Sequence, residues 1–330
     1  MARIVLGLAS SHTPQLNTAP DIWPDHAERD RRNPELLGLD GAFHDYAGIE
    51  RMVPRDLAGE LTSEAWEAKH ARAQEAVASL HATLRASAAD VVVVVGDDQR
   101  ELFLDDGTPT FGVFVGEEIW DMPLSAERLA ARPKGLQAAN WAVHGEEPEG
   151  YVTAAGLASH IVEQMMIEEF DVAQFRRQPE GRTLGHAFTF VRRRIMRDHV
   201  LPMVPVLVNS YYPPNQPTPR RCYNFGRALR RAIESWDEDL AVAIVASGGL
   251  SHFVVDEEFD RRVIEGLQRK DLGALSAIPR RYFRSGTSES LNWITAGGAL
   301  EALDMKLVDY VPGYRTPAGT GCGMTFARWQ

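Results

Sequence analysis

Cysteine is scarce in this sequence of 330 residues, which contains only Cys222 and Cys322. Two thiols are too few for a disulfide framework or for a metal site built from several thiolates. This scarcity is typical of proteins that work in a reducing compartment, so we expect a cytoplasmic location. Cys222 has no histidine partner of the kind that a cysteine nucleophile needs, and we interpret it as structural.

Long apolar runs and an excess of basic residues are also missing. The run at residues 91–95 is far shorter than the ~18 residues that a membrane helix needs, so it predicts a buried strand and no membrane partner. The apolar stretch at residues 4–9 is too short for a signal peptide. The formal net charge of -11 argues against a nucleic-acid partner, although a few local arginines would still permit an anionic small substrate.

The overall composition, 44% hydrophobic and 25% charged, is typical of a globular enzyme rather than of a disordered chain. The length fits one large domain or two small ones, and no linker divides the chain, so we predict a single domain over residues 1–330. Residues 21–59 are rich in proline and charge and predict an irregular insertion or lid. Residues 122–149 predict a second long connection of the same kind.

Four short apolar runs each stop abruptly at polar residues. They lie at residues 4–9, 91–95, 204–208 and 240–245, and the polar residues that follow include His12, Asp97, Tyr211 and His252. Helical periodicity at residues 63–87, 154–169, 224–235 and 257–267 separates or follows these runs. The alternation predicts an α/β fold in which helices flank a central mixed sheet. Ligands bind beyond the carboxyl ends of such strands, so we expect the polar residues to share one crevice.

Four residues are candidates for metal or proton chemistry, and three of them also have a plainer interpretation. His12 ends a strand and is either a metal ligand or a histidine hydrogen-bonded in a tight turn. Glu258 begins a helix, where acidic residues usually complement the helix dipole, but a carboxylate is also what an iron(II) site requires. His186 lies among apolar residues, either as a packed core histidine or as a general acid or base. His252 follows Gly248-Gly249 and is a second acid/base candidate.

Taken together, these residues resemble the class III extradiol ring-cleaving dioxygenases, the superfamily of protocatechuate 4,5-dioxygenase and gallate dioxygenase. The resemblance rests on Gly7 to Pro14, Tyr223 to Ser235, Ser247-Gly248-Gly249-Leu250-Ser251-His252, Glu258-Phe259-Asp260 and Gly297-Gly298-Ala299-Leu300. It implies an iron(II) cofactor held by His12 and Glu258, with His186 as the acid/base residue and His252 in the crevice. It also implies that Ser285 and Thr287 contact the substituents of the substrate ring.

The sequence departs from that family at one position. Relatives carry a second histidine ligand after an aspartate, whereas this chain has Asp98-Gln99. We interpret Gln99 as a ligand or as a residue supporting one, with Asp98, Asp97, His44 or His70 as the alternatives. The amide oxygen of glutamine is a poorer donor to iron(II) than imidazole, which predicts weaker metal retention. The strand end and the insertion resemble the 3-O-methylgallate dioxygenase branch.

The predicted function is iron(II)-dependent extradiol cleavage of a catecholic acid with O2, in the catabolism of lignin-derived aromatics. Thr13, Tyr211, Tyr212 and Ser285 are candidates for holding the carboxylate or methoxy group of the substrate. The resemblance also implies a homodimer. A metal-dependent hydrolase is the first alternative, although the sequence lacks the Asp-x-His and Gly-Asn-His elements of metallophosphoesterases. The second alternative is a catalytically silent binding protein, for which Gln99 is the main argument.

Overall fold

The computed structural model describes residues 1–104 and 107–330. Within them the strands are β1 (Arg3–Ser10), β2 (Leu36–Leu37), β3 (Phe43–His44), β4 (Val91–Gly96), β5 (Phe111–Phe114), β6 (Glu118–Asp121), β7 (Glu149–Val152), β8 (Ala173–Phe175), β9 (Met203–Val208), β10 (Ala241–Ser247), β11 (His252–Val254), β12 (Met305–Tyr314) and β13 (Thr320–Trp329). The α-helices are α1 (Trp23–Arg31), α2 (Tyr46–Glu50), α3 (Ser63–Ala86), α4 (Ala126–Ala130), α5 (Lys134–Ala139), α6 (Ala155–Ile167), α7 (His186–Phe190), α8 (Pro219–Glu234), α9 (Glu257–Gln268), α10 (Leu272–Ala277) and α11 (Ser290–Ala299).

Nine of the described strands form one mixed sheet. Their order is β11-β13-β1-β10-β4-β9-β5-β8, and β12 pairs with β13 outside this path. The neighbours β1, β10, β4 and β9 run parallel to one another, whereas β13 is antiparallel to β1 and β5 is antiparallel to β9. Helices cover this sheet, so the predicted α/β fold with a central mixed sheet flanked by helices is confirmed.

The core has two layers, one on each face of the sheet, and β4 shows how the sequence fills both. Val91, Val93 and Val95 pack in one layer with residues of α6, α8 and α11, whereas Val92 and Val94 pack in the other with residues of α3. Side chains alternate between the faces of a strand, so a strand buried on both faces is apolar throughout. This is why the central strands appear in the sequence as unbroken apolar runs.

The carboxyl ends of the four parallel central strands meet at one edge of the sheet. Ser10 of β1 is level with Ser247 of β10, and Ala246 of β10 is level with Val95 of β4. Polar residues follow each strand end, and His12, Gln99, Tyr211 and His252 from four different connections line one cleft there. The predicted crevice at the strand ends is therefore present.

Residues 21–59 are more regular than the sequence suggested. They contain α1, the hairpin of β2 and β3, and α2, and they bury Trp23, Leu36 and Ile49. The prediction of an irregular insertion is corrected in this respect, because three apolar side chains are enough to anchor short elements to the main body. None of the described helices has the length and apolarity needed to cross a membrane. That the chain forms a single domain over residues 1–330 stays a prediction.

Candidate active site

His12 lies at the sheet edge, two residues after the end of β1. Its ring is buried, and Nδ1 is 3.0 Å from the Ser247 Oγ at the end of β10. The other nitrogen, Nε2, is 3.2 Å from Glu289 Oε2, yet it makes no hydrogen bond with any described residue. A buried polar atom without a partner requires an explanation, and a metal ion shared with the nearby carboxylate provides one.

Glu289 ends a short 3-10 helix, Ser285–Glu289, directly before α11. Its side chain is buried, and the Gly249 backbone N–H donates to Oε2 over 2.9 Å. Burial opposes the charge, but His252, His12 and His186 outweigh it and hold the pKa of Glu289 far below its usual range. The site therefore contains a buried, ionised carboxylate surrounded by imidazoles.

His252 begins β11 and faces the same carboxylate. Its Nδ1 donates to the Leu250 carbonyl oxygen over 3.0 Å. Its Nε2 lies 3.3 Å from Glu289 Oε2. Gly286 makes this placement possible, because a Cβ added there would approach the ring of His252 to 2.5 Å.

His186 begins α7, and its Nδ1 pairs with Glu101. Burial disfavours the charged ring, but the carboxylates of Glu101, Asp97 and Glu289 outweigh burial and raise the pKa of His186 to about 10. Burial likewise opposes the charge of Glu101, and His186 overcomes it to lower the pKa of Glu101 to about 2. The rings of His186 and His12 meet edge to face with 4.7 Å between their centroids.

His12, His186 and Glu289 together have the composition of a metal site. Each offers one donor atom, and all three donor atoms lie within 4.8 Å of one another. Two imidazoles and one carboxylate are the ligands of the facial arrangement that leaves open positions on a non-haem iron(II) ion. Metal-ligating histidines usually donate their second nitrogen to a carboxylate or another acceptor, as His186 does to Glu101 here.

The structure does not bring Glu258 to His12, so the expected pairing is corrected. Glu258 is exposed in the first turn of α9 and lines a separate cleft near Arg55. Acidic residues in a first turn complement the helix dipole, and this plainer interpretation of Glu258 fits its position. Glu289 takes the place beside His12 that the sequence analysis gave to Glu258.

Gln99 does reach the site, as a neighbour of the carboxylates. Its side-chain nitrogen is 3.2 Å from Asp97 Oδ2 and 3.2 Å from Glu289 Oε1. Asp97 is fully buried, and the Asn292 side-chain nitrogen donates to it over 3.0 Å. Burial is the main cause that raises the pKa of Asp97, and repulsion from Glu289 adds to it. Asp98 instead accepts from the Leu102 and Phe103 backbone N–H groups, so it stabilises the turn after β4 rather than facing the metal-binding residues.

The two reserve histidines lie outside the cleft. His44 pairs with Asp40 in the β2–β3 hairpin, and His70 on α3 is 3.2 Å from the Gln74 amide nitrogen. Neither lines the cleft that contains His12 and Glu289. The geometry therefore gives no support to His44 or His70 as the missing ligand.

The candidates for substrate contact are divided between the cleft and its surroundings. Thr13 and Tyr211 line the cleft, and burial followed by the charge of Glu289 raises the pKa of Tyr211. Ser285 interacts with Tyr211, whereas the Thr287 hydroxyl accepts the His252 backbone N–H over 3.0 Å. Tyr212 lines a neighbouring depression next to Asp98 and not the cleft itself.

The cleft has a volume of about 250 Å³. A cavity of roughly 150 Å³ accommodates benzene, so this cleft has room for one substituted aromatic ring. Its far wall consists of residues from α1 and from the segment that contains α4 and α5, including His26, Arg29, Arg132 and His144. Segments predicted as a lid and a long connection thus contribute directly to the site.

Sequence reasoning missed Glu289 and Glu101. Glu289 precedes α11, a helix that is buried throughout and contains no charged residue. An acidic residue directly before an uncharged, largely apolar helix was the available signal, because such a helix lies in the core and the residue before it is then buried as well. Glu101 had no comparable signal, since its role depends on α7 packing beside the turn after β4.

Comparison with known proteins gives two findings. The family model described as the catalytic LigB subunit of aromatic ring-opening dioxygenase matches residues 67–324. Those residues include His186, His252 and Glu289 but not His12, whose place in the site rests on geometry. A gallate dioxygenase of Pseudomonas putida is 37% identical over 161 residues, which are 45% of this chain and 46% of that protein. The alignment thus spans about half the length of this curated relative.

Proposed function

Because this chain belongs to the family of catalytic LigB subunits of aromatic ring-opening dioxygenases, we propose that it cleaves the ring of a catecholic acid with O2. We further propose that the cleavage is extradiol, that the cofactor is Fe(II), and that the substrate resembles gallate, 3-O-methylgallate or protocatechuate. One observation carries the proposal: the buried His12 Nε2 makes no hydrogen bond within residues 1–104 and 107–330 and lies 3.2 Å from Glu289 Oε2.

In this proposal His12, His186 and Glu289 hold the metal. Bound Fe(II) would supply adjacent open positions at which a diol and O2 are activated together. Glu101 would keep His186 oriented through Nδ1, and Ser247 would do the same for His12. Gln99 would orient Glu289 through its amide nitrogen rather than bind the metal itself.

His252 is the proposed proton-transfer residue. Its Nδ1 is held by the Leu250 carbonyl, and Nε2, which faces Glu289, would take a proton from a substrate hydroxyl and return it later. The sequence analysis had His186 as the acid/base residue and His252 as a second candidate; in this proposal His186 is instead a ligand and His252 alone moves the proton. Tyr211 and Thr13, which line the cleft, would contact the ring substituents.

The metal site is tested by comparing two glutamates. We expect the purified protein, reconstituted anaerobically with Fe(II), to retain stoichiometric iron after desalting and to consume O2 with catecholic acids. Glu289→Gln should lose most of the iron, because it removes the only negative ligand of the proposed set. Glu258→Gln is the matched control and should behave like the wild type. Equal iron retention in both variants would contradict the proposed ligand set.

The same measurements separate the alternative functions. A metal-dependent hydrolase would show no O2 uptake with any catechol but would cleave an ester substrate. A silent binding protein would bind a catecholic acid without O2 uptake or hydrolysis. Ring-opened product, which absorbs in the visible or near-ultraviolet range, together with O2 consumption supports the dioxygenase.

A further inference from the structure

Two arginines line the same cleft as His12 and Glu289. Arg29 lies on α1, and Arg132 lies in the link between α4 and α5. Neither guanidinium makes a hydrogen bond or ion pair with residues 1–104 or 107–330. Arg315 on the same wall differs from them, because Asp30 binds it at 2.9 and 3.1 Å.

The surroundings of Arg132 make its positive charge unfavourable unless an anion binds beside it. Its side chain is half-buried, and burial lowers the pKa of Arg132. Glu101 opposes this effect from a distance, whereas the positive charges of Arg128 and Arg29 add to it. A partly desolvated cation that faces other cations is unfavourable unless an anion joins it.

The backbone segments that carry both arginines are anchored by the fold. The Gln137 side chain donates to the Arg132 carbonyl oxygen over 2.7 Å and so fixes the turn before α5. Helix α5 packs closely on α1: a Cβ added at Gly135 would lie 2.5 Å from the His26 ring. Anchored backbone segments reduce the conformational entropy that is lost when the two side chains bind an anion.

The charge of Arg29 extends to the inner part of the cleft. Burial and then Glu289 raise the pKa of Tyr211, and Arg29 works against that rise. The guanidinium carbon of Arg29 is also 6.0 Å from the ring centre of Phe253, the residue that follows His252. Arg29 thus lines the cleft close to the residue that follows His252.

We propose that Arg29 and Arg132 bind the carboxylate of the aromatic substrate and thereby select carboxylated catechols over neutral ones. Guanidinium groups match carboxylates through paired N–H donors, and charge-assisted hydrogen bonds of this kind are among the strongest in proteins. With the carboxylate held at the arginine wall, the diol at the other end of the ring points toward His12 and Glu289. This inference rests on the proposed function, since it names the charge of the substrate.

The test compares protocatechuate with its uncharged amide. We expect Arg132→Gln and Arg29→Gln each to lower kcat/KM for the acid by about 10-fold to 100-fold, because each removes charge-assisted hydrogen bonds. The value for the amide should change by no more than about 3-fold. Arg128→Gln is the matched control, because Arg128 is exposed on α4 and does not line the cleft; it should leave both substrates unaffected.

A binding measurement keeps this inference separate from the activity. Anaerobic calorimetry of the metal-free protein should show that the acid binds more tightly than the amide, and both arginine variants should abolish the difference. If the protein prefers the acid but consumes no O2, the proposed function is wrong and the arginine site is still supported. Equal binding of acid and amide by the wild type, or equal losses for both in the variants, would overturn the arginine site.

Discussion

His252 and His186 both point toward Glu289, but their second nitrogens have different partners. A carbonyl oxygen holds Nδ1 of His252, and a carboxylate holds that of His186. We therefore predict that His252→Ala retains iron while turnover falls by roughly 10²–10⁴-fold, the usual contribution of an acid/base residue. His186→Ala should lose iron instead. Metal analysis and O2 uptake on the same samples check both outcomes, and iron retained by inactive His186→Ala would restore His186 to the acid/base role and favour Gln99 as the ligand.

His26 gives a prediction about stability and pH. Burial, followed by the charges of Arg315 and Arg29, lowers the pKa of His26 from 6.5 to about 3. Between these values the unfolded chain binds more protons than the folded one, so stability falls as the pH drops below about 6.5. The slope contributed by this one group is at most about 1.4 kcal/mol per pH unit.

The matched variant is His26→Gln, which cannot take up a proton and can still hydrogen-bond the Thr18 hydroxyl that lies 3.2 Å from His26 Nε2. Urea unfolding at several pH values between about 7 and 4 should show a steeper loss of stability for the wild type than for the variant. Parallel curves would mean that His26 becomes protonated in the folded state.

At the scale of elements, α8 and α11 approach unusually closely through two glycines. A Cβ added at Gly226 would lie 1.9 Å from the Thr295 carbonyl oxygen, and one at Gly298 would lie 2.0 Å from that of Tyr223. Backbone atoms cannot move aside as flexible side chains do. We predict that Gly226→Ala lowers the free energy of unfolding by about 1–3 kcal/mol.

Gly156→Ala in α6 is the control for that substitution. Gly156 is exposed, and the nearest atom to an added Cβ would be in Trp236 at 3.6 Å, an ordinary contact. Alanine favours helix over glycine, so this change should be neutral or stabilising by up to about 1 kcal/mol. Thermal and urea unfolding of both variants give the comparison, and similar effects at the two positions would show that the close approach is not required.

Helices and strands could be predicted from the sequence where one pattern, either a continuous apolar run or helical periodicity, extends over the whole element. The strands β1, β4, β9 and β10 are largely apolar because they are mostly buried on both faces, and α3 follows its periodicity from Ser63 to Ala86. Residues 21–59 were misjudged because α1 and the β2–β3 hairpin are too short for periodicity to show. Contacts with distant parts of the chain stabilise α1 and this hairpin.

At the scale of the whole molecule, β13 joins parts of the sheet that are far apart in sequence. It pairs with β1 and β11 along one edge and with β12 along the other. Removal of residues 320–330 should therefore leave three strands without their partner and prevent cooperative folding. Removal of the exposed Gln330 alone should leave a folded protein.

Circular dichroism and limited proteolysis distinguish these two truncations. A protease-resistant core in the longer truncation would show that the sheet is stable without β13.

Long-range assembly also explains why the site was only half predictable. His12 and His252 were recognisable because each follows a strand that the sequence reveals. Glu289 lies 277 positions after His12, and only the packing of α11 beneath β10 and β4 brings it there. Glu258 was chosen from the resemblance of Glu258-Phe259-Asp260 to the family, which does not establish that its side chain lies near His12. The expected homodimer and cytoplasmic location stay predictions.

The separation of His12, His186 and Glu289 along the chain has a thermodynamic consequence. An unfolded polypeptide holds no such set of donors together, so ferrous ion would associate with the native form alone. By mass action the melting temperature should then climb with the concentration of added metal. Differential scanning calorimetry should record this climb for the wild type, and the thermogram of Glu289→Gln should not move.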